Sequence, residues 1–169
     1  MKNLLWIAFL ALGLNLNGAH ALEVGDISPC MHVDQVLPDG TELSNECVND
    51  PVSTDHKYTL LDFSSTTCYW CSVNHPNLVK ISQNHAATTT VRVLYTDRNE
   101  AVARKYLADN KEKHPFPVGF DPTRKASKAF GIPGTPTMFV VDRGSKIIYK
   151  HVGVLTEADM AALSTLLSQ

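Results

Sequence analysis

The sequence predicts an α/β domain with a central mixed β-sheet and helices on both of its faces. Three observations predict this class. The 169 residues suit a single hydrophobic core, strand-like and helix-like segments alternate along the chain, and the last two strand-like segments are separated only by a turn. The hydrophobic fraction of 44% and the charged fraction of 19% are typical of a globular domain that buries such a core.

The first half of the domain is predicted to contain a hairpin, a buried strand and a long helix. Val33–Leu43 alternates around the turn sequence Pro38-Asp39-Gly40, which predicts a β-hairpin, and the polar stretch 45–56 is expected to be a loop. Tyr58–Phe63 is short and apolar, as a buried strand is. A helix is expected over Cys68–Ala86, with its N-cap among the four hydroxyl residues that precede it.

The second half continues the alternation of strands and helices. The expected elements are a strand at Val91–Tyr95, helices at Glu100–Asn110 and Thr123–Phe130, antiparallel strands at Thr137–Val141 and Ile147–Val152, and a last helix opened by a capping box at Thr156 and Asp159.

The first 21 residues have the parts of a secretory signal peptide. Lys2 is a basic start, Leu4–Leu14 is an apolar run of h-region length, and Ala19 and Ala21 are the small residues that a signal peptidase needs. We therefore expect cleavage after Ala21, a mature domain at 22–169 and a periplasmic location. An uncleaved membrane anchor is the alternative, which the short run disfavours because a spanning helix needs roughly 20 apolar residues.

The charge balance excludes one class of partner and directs attention to the cysteines. Lys and Arg number 15 and Asp and Glu 17, and nucleic-acid binding needs a concentrated basic surface, so no nucleic-acid partner is expected. Export would place all four cysteines in a compartment where disulfides form and persist.

Cys68-Tyr69-Trp70-Cys71 is the strongest local signal in the chain. Two thiols three residues apart at a helix start can close a disulfide, and the free N–H groups of the helix favour a thiolate at Cys68. A thiolate attacks a disulfide to form a mixed disulfide, which a second nearby thiol resolves. A single C-x-x-C is equally compatible with half of a zinc site, so this motif alone leaves both interpretations open.

The sequence resembles the thioredoxin superfamily and, within it, the TlpA/ResA subgroup of exported thioredoxins. Leu61–Cys71 is similar to the family's strand-to-active-site segment, and Gly131–Asp142 is similar to its second signature, the loop and strand that carry a cis-proline. The N-terminal hairpin and the extra helical insertion after Asp97 are also similar to the subgroup. The resemblance covers nearly all of the mature chain.

The resemblance implies a thioredoxin-like fold and thiol:disulfide exchange, with Cys68 attacking and Cys71 resolving. It implies that Pro136 is the cis-proline facing the cysteines and that Thr135 presents its backbone to an extended substrate. Tyr69 and Trp70 are expected to contact that substrate. No cofactor is expected. The implied partners are protein dithiols and disulfides and a membrane electron donor or acceptor, and the protein is expected to be a monomer.

Asp62 matches the family's position of a buried acid beneath the active site. An acid kept from water has a raised pKa and can take the proton of Cys71 when Cys71 attacks. The structural alternative is a carboxylate that points outward at a strand edge.

Several positions depart from the family pattern. Ser64 and Thr67 stand where aromatic residues are usual, Asn74 stands where the TlpA/ResA group usually has a glutamate, and the Tyr69-Trp70 pair contains no proline. Dithiol couples on this fold range from about −270 mV to about −120 mV, so these departures leave the direction of electron flow open.

The remaining cysteines and one histidine allow further interpretations. Cys30 and Cys47 flank the hairpin, and a structural disulfide is favoured over free or partner-linked thiols in an oxidising compartment. His75 follows Cys71 by four residues, so a metal shared by Cys68, Cys71 and His75 defines a non-enzymatic alternative, an exported metal carrier. The sequence therefore predicts a thiol:disulfide oxidoreductase that acts as a reductant of exported proteins, with a disulfide oxidase or isomerase and the metal carrier as alternatives.

Overall fold

The computed structural model describes residues 21–50 and 55–169. The expected signal peptide lies outside the described residues except for Ala21, and so do residues 51–54 of the predicted loop. Within the described ranges, no helix has both the length and the apolar character that crossing a bilayer requires.

A seven-stranded mixed sheet forms the centre of the described structure, in the spatial order β2-β1-β5-β4-β3-β6-β7. The strands are β1 (His32–Val36), β2 (Glu42–Cys47), β3 (Tyr58–Ser64), β4 (Thr89–Tyr95), β5 (Val118–Phe120), β6 (Thr137–Asp142) and β7 (Ile147–Val152). β3 pairs in parallel with β4 and antiparallel with β6. The mixed sheet predicted from the sequence is confirmed.

Helices cover both faces of this sheet, as predicted. They are α1 (Tyr69–Asn84), α2 (Glu100–Asp109), α3 (Lys125–Ala129) and α4 (Glu157–Leu167), with a short 3-10 helix at Lys111–Lys113. Side chains of α1, α2 and α4 belong to one apolar cluster with Leu60, Val93 and Met138. Ala126 of α3 belongs to a second cluster on the opposite face, with Leu61 and Phe63.

The position of β3 explains its apolar sequence. It is the central strand between β4 and β6, so both of its faces are buried and a continuous apolar run is required. Successive side chains of a strand point to opposite faces. Leu60 belongs to the cluster of α1, whereas Leu61 and Phe63 belong to the cluster of α3. Asp62 therefore shares the face of Leu60 and of α1.

β4 begins two residues earlier than predicted, at Thr89, and two other strands differ more. β2 continues to Cys47, so residues 45–47 of the predicted loop are strand, and β2 lies at a sheet edge where polar side chains are tolerated. β5 was not predicted. It has only three residues, directly after Pro117, which is too short for a periodic signal, and its pairing with β1 and β4 defines it as a strand.

The helix starts also differ in detail. The N-cap of α1 is Cys68 itself and not one of the preceding hydroxyl residues. α3 begins at Lys125 and not at Thr123, because Arg124 has a left-handed φ of 58°. The capping box of α4 is confirmed, since the Thr156 hydroxyl accepts the N–H of Asp159 and the Asp159 carboxylate accepts the N–H of Thr156.

Candidate active site

The start of α1 brings Cys68 and Cys71 together at one end of the sheet. The two are joined by a disulfide, with Cα atoms 5.2 Å apart. Cys71 is buried, whereas Cys68 is partly exposed. The Sγ of Cys68 accepts the backbone N–H of Cys71 at 3.1 Å and lies 3.4 Å from the carbonyl oxygen of Thr135. Because a free helix N–H and the positive end of the helix dipole meet at Cys68, this position can support a thiolate when the pair is reduced.

The loop before Cys68 is held by Asp97, which lies just beyond the end of β4. The Asp97 carboxylate accepts the backbone N–H of Thr66 at 3.0 Å, the Thr66 hydroxyl at 2.8 Å and the Ser65 hydroxyl at 3.1 Å. Thr96 adds a backbone bond to the Ser64 carbonyl at 2.9 Å. These bonds fix the approach of the chain to α1.

Sequence reasoning did not identify Asp97 as a site residue. The available signal was the order of the strands. β3 and β4 are parallel neighbours, so polar residues that follow their carboxyl ends meet at one edge of the sheet. Asp97 follows β4 just as Ser65 and Thr66 follow β3.

The loop between α3 and β6 forms the opposite side of the site. The peptide bond between Thr135 and Pro136 is cis, and Pro136 is buried. The Pro136 carbonyl accepts the N–H of Gly153 at 2.9 Å, and the Thr137 hydroxyl donates to the Gly134 carbonyl at 2.7 Å. The loop is thus anchored on both sides of Thr135, whose carbonyl faces Cys68.

Asp62 is buried in β3, the strand that leads to the cysteines, and only 1% of its surface is exposed. In the register of the sheet it lies between Val93 of β4 and Met138 of β6, both apolar. Its Oδ1 has no hydrogen-bond partner among the described residues. Burial without a compensating charge raises the pKa of Asp62 to about 7. The structure thus places this carboxyl inside the sheet and not at a strand edge.

A tyrosine and a histidine form a hydrogen-bonded pair on the same face of the sheet. The hydroxyl of Tyr95 donates to Nε2 of His114 at 2.9 Å, and Nδ1 of His114 donates to the Asn110 carbonyl at 2.9 Å. Since a carbonyl only accepts, the proton of the neutral ring is on Nδ1. Burial lowers the pKa of His114 and raises that of Tyr95, so both remain neutral near pH 7.

Asn74 occupies the position where the resemblance would put a glutamate. It is fully buried in α1. Its Oδ1 accepts the backbone N–H of Leu155 at 3.0 Å, and its Nδ2 lies 3.4 Å from the Sδ of Met138. The amide therefore ties α1 to the segment before α4 without adding a charge near Asp62.

Comparison with known proteins identifies the family of this chain. Residues 33–167 match the family described as Redoxin. The chain belongs to the Redoxin family. It is 32% identical over 103 residues to the thiol:disulfide interchange protein HelX of Rhodobacter capsulatus, an alignment that covers 61% of this chain and 56% of HelX. The chain therefore matches little more than half the length of that relative.

Solved structures share the fold of this Redoxin-family chain. A candidate thiol:disulfide interchange protein DsbE from Chlorobium tepidum superimposes with a TM-score of 0.69 at 26% identity, covering 88% of this chain and 97% of that one. The thioredoxin domain of a Bacteroides vulgatus thiol-disulfide oxidoreductase superimposes with a TM-score of 0.66 at 21% identity, covering 87% of this chain and 99% of that one. The thioredoxin-like fold and the superfamily resemblance drawn from the sequence are confirmed.

Tyr69 and Trp70 are exposed at the surface of this Redoxin-family site. Their side chains are 69% and 60% exposed, and their ring centroids lie 5.0 Å apart in an edge-to-face arrangement. An exposed aromatic pair beside the Cys68–Cys71 disulfide offers apolar contact area to another molecule.

His75 is directed away from the cysteine pair. Its Nε2 donates to the carbonyl of Lys113 at 2.8 Å, and its ring lies 4.6 Å from that of His114 and 5.5 Å from that of Phe116. Among residues 21–50 and 55–169, no group of three His, Cys, Asp or Glu side chains is arranged to hold a metal ion. The structure therefore does not bring His75 together with Cys68 and Cys71.

The second cysteine pair lies in the N-terminal hairpin. Cys30 and Cys47 are joined by a disulfide with Cα atoms 5.3 Å apart. The Cys47 carbonyl accepts a hydrogen bond from the buried guanidinium of Arg92 at 2.7 Å, which links the end of β2 to β4.

Proposed function

We propose that this Redoxin-family protein is a thiol:disulfide oxidoreductase acting on exported proteins, with Cys68 as the attacking and Cys71 as the resolving residue. The observation that carries the proposal is the Sγ of Cys68 at the N-cap of α1, where it accepts the N–H of Cys71 at 3.1 Å. The same hydrogen bond stabilises the thiolate that attacks a substrate disulfide.

The reaction transfers two electrons and two protons to the substrate. The Cys68 thiolate attacks one sulfur of the substrate disulfide, forming a mixed disulfide and releasing the first substrate thiolate, which takes up a proton. Cys71 then loses its proton and attacks the Sγ of Cys68. The Cys68–Cys71 disulfide forms, and the second substrate thiolate leaves and is protonated.

Asp62 is proposed as the group that receives the proton of Cys71. Its pKa of about 7 leaves a substantial fraction ionised at neutral pH while keeping the carboxylate basic enough to accept a proton. It lies on the face of the sheet that α1 covers, and Cys71 is a buried residue of α1. No competing hydrogen bond holds Oδ1 among the described residues.

The substrate is proposed to lie between the cis-proline loop and the exposed aromatic pair. The backbone of Thr135 would pair with an extended substrate segment beside Cys68, and Tyr69 and Trp70 would contact its side chains. The 3.4 Å separation between the Thr135 carbonyl and the Sγ of Cys68 supports this position, because a substrate sulfur bonded to Cys68 would lie next to that backbone.

We propose the reductant direction on the basis of the same carbonyl. The oxygen of Thr135 carries the negative end of a dipole, so it opposes a negative charge on Cys68 and partly offsets the helix N–H. Reduced forms that stabilise the thiolate strongly belong to oxidising couples, whereas a less stabilised thiolate lowers the potential. We expect a potential nearer to about −270 mV than to about −120 mV.

Location and partners complete the proposal. Cleavage after Ala21 would release the domain at 22–169 into the periplasm as a monomer, and a membrane electron donor would return it to the reduced state. Trp70 would then report the redox state of the mature chain, because the other tryptophan of the sequence, Trp6, lies in the expected leader.

The decisive experiment combines a titration with a trap. Trp70 emission followed against a glutathione buffer measures the potential, and a Cys71→Ala variant should accumulate mixed disulfides with exported proteins, whereas Cys68→Ala should not. Few trapped partners and a low potential would support the reductant. A potential near −120 mV (about the oxidising end of the range) with many trapped partners would favour the oxidase or isomerase. If Cys68 is alkylated no faster than a free cysteine and traps nothing, the proposal fails.

A further inference from the structure

A basic pocket lies where the chain leaves β4 and β5, on the side of the sheet that α3 covers. It has a volume of about 390 Å³, and its charged lining residues are Arg98, Arg124 and Lys128. No Asp or Glu of the described part of the chain lines it. We call this cavity the basic pocket. It contrasts with the chain as a whole, whose formal net charge is −2.

Both walls of the basic pocket continue into loops of the candidate active site. Arg98 follows Asp97, the carboxylate that holds Thr66, two residues before Cys68. On the other side, Ile132 lines the pocket at the start of the loop that leads to Thr135, whose carbonyl lies 3.4 Å from the Sγ of Cys68. The pocket and Cys68 are therefore linked through the same two loops.

The acidic residues nearest in sequence to the pocket are already engaged. Asp97 accepts three hydrogen bonds from Ser65 and Thr66. Glu100 accepts the Nε of Arg104 at 2.7 Å. Each of these carboxylates accepts its hydrogen bonds from residues that do not line the pocket.

Asp121 is likewise unavailable to the pocket. Only 3% of its surface is exposed, and its carboxylate accepts the N–H groups of Ala126 and Ser127 and the Ser127 hydroxyl. Among the described residues, Asp97, Glu100 and Asp121 form no ion pair with a pocket cation.

The pocket cations themselves have no ionic partner. Among the described residues, none of Arg98, Arg124 and Lys128 takes part in a salt bridge. Arg98 and Lys128 are exposed, and Arg124 is partly exposed. Like charges held together repel, so the cluster lowers its energy when an anion binds.

We propose that the basic pocket binds an acidic segment of the partner protein whose disulfide meets Cys68. The carboxylates would pair with Arg98, Arg124 and Lys128 while the disulfide sits at the cysteines, so that charge selects the partner and speeds its encounter. This inference rests on the proposed exchange activity and names the class of protein substrate that the site prefers.

The test uses two synthetic peptides that share one intramolecular disulfide and differ in a tail of either glutamates or glutamines. The reduced protein is mixed with each, and the change in Trp70 emission gives the second-order rate constant. At low salt the glutamate peptide should react about tenfold faster, and added salt should remove the difference. In Arg98→Glu/Lys128→Glu the ratio of the two rate constants should fall to about one or below.

Lys80→Glu/Lys105→Glu is the matched control, because it makes the same change in net charge on α1 and α2, which pack on the opposite face of the sheet. Its ratio should stay near that of the unmodified protein. A ratio of one in the unmodified protein, or an equal fall in both double variants, overturns the basic pocket while leaving exchange intact.

A cysteine-free glutamate peptide separates the pocket from the redox chemistry. Fluorescence anisotropy should show saturable binding to the unmodified protein and none to Arg98→Glu/Lys128→Glu. Inorganic phosphate that competes equally well at the same concentration would identify a small-anion site and would overturn the peptide assignment. If neither disulfide peptide is reduced, the proposed function fails, and the anisotropy result still decides the pocket.

Discussion

The two disulfides of this protein have nearly the same span but different surroundings. The Cα atoms are 5.2 Å apart in Cys68–Cys71 and 5.3 Å apart in Cys30–Cys47. Cys68 is a helix N-cap that accepts a backbone N–H, and its loop is held by Asp97. The pair at the hairpin joins the chain before β1 to the end of β2 across 17 residues, and neither of its cysteines belongs to or caps a described helix.

This difference separates a disulfide suited to exchange from one suited to cross-linking. Exchange needs a stabilised leaving thiolate and a resolving thiol within the same turn. Cross-linking needs a long loop, since the loss of unfolded-state entropy grows with loop length. Exposure alone does not distinguish the pairs, because Cys30 is exposed as well.

The largest effect is expected from removing the sulfur atom that attacks the substrate. Cys68→Ser should lower the rate of disulfide exchange by about a thousandfold or more, because the attacking atom is lost. Cys30→Ser/Cys47→Ser should keep the rate within about twofold. Insulin reduction with dithiothreitol measures both, and similar losses in the two variants would contradict the division of roles.

The second effect concerns Asp62, the buried acid of β3. The pKa of Asp62 is raised from 3.8 to about 7, so the folded protein holds its proton over a range in which the unfolded chain has lost it. The stabilisation that comes from holding this proton on Asp62 is fully present below about pH 4 and is lost as the pH rises to about 7. Asp62→Asn should therefore raise the free energy of unfolding by up to about 4 kcal/mol at pH 8 and leave it unchanged at pH 4.

The same variant tests the proposed proton transfer. Release of the mixed disulfide should slow by about tenfold or more at neutral pH, because Cys71 loses its base. Urea unfolding at the two pH values measures stability, and single-turnover Trp70 emission measures release. A turnover unchanged between about pH 6 and pH 9 would remove Asp62 from the mechanism.

The third effect concerns the contribution of the Cys30–Cys47 disulfide to stability. Cys30→Ser/Cys47→Ser should lower the free energy of unfolding by about 3 kcal/mol, the chain-entropy value for a loop of 17 residues. Urea denaturation under oxidising conditions checks this loss. In excess reductant the variant and the unmodified protein should differ much less, and a loss of the same size there would assign the effect to packing.

The smallest effect addresses the loop that presents Cys68. Asp97→Ala removes the acceptor of the Ser65 and Thr66 bonds and should cost about 1–3 kcal/mol of stability, together with a several-fold loss of exchange rate. Asp39→Ala is the matched control, since Asp39 also accepts a backbone N–H, from Thr41 in the hairpin turn. Equal losses of exchange rate in the two variants would exclude a positioning role for Asp97.

Local sequence signals predicted the elements that depend on local chemistry. The turn at Pro38-Asp39-Gly40, the central strand β3 and the capping box of Thr156 all lie where the sequence places them, because turn residues, burial on both faces and caps leave short-range patterns. β5 left none, since three residues become a strand only through their neighbours β1 and β4.

The candidate site likewise contains residues that sequence patterns identify and residues that only contacts in the fold identify. The C-x-x-C spacing and the acid in an apolar strand are visible in the sequence, and they nominate Cys68, Cys71 and Asp62. The hydrogen bonds of Asp97, the Tyr95–His114 pair and the Asn74 contact with Leu155 join residues that are distant in the chain. Sequence patterns do not specify such partners, because the sheet order brings them together.

The α/β class, the C-x-x-C spacing and the family resemblance could be read from the sequence, since these depend on residue identity and short-range periodicity. Three features became visible in the folded chain alone: the Thr135 carbonyl faces Cys68, Asp62 is enclosed, and three cations line one pocket on the α3 side of the sheet. The physical reason is that burial and the encounter of charges depend on which surfaces the sheet and helices bring into contact.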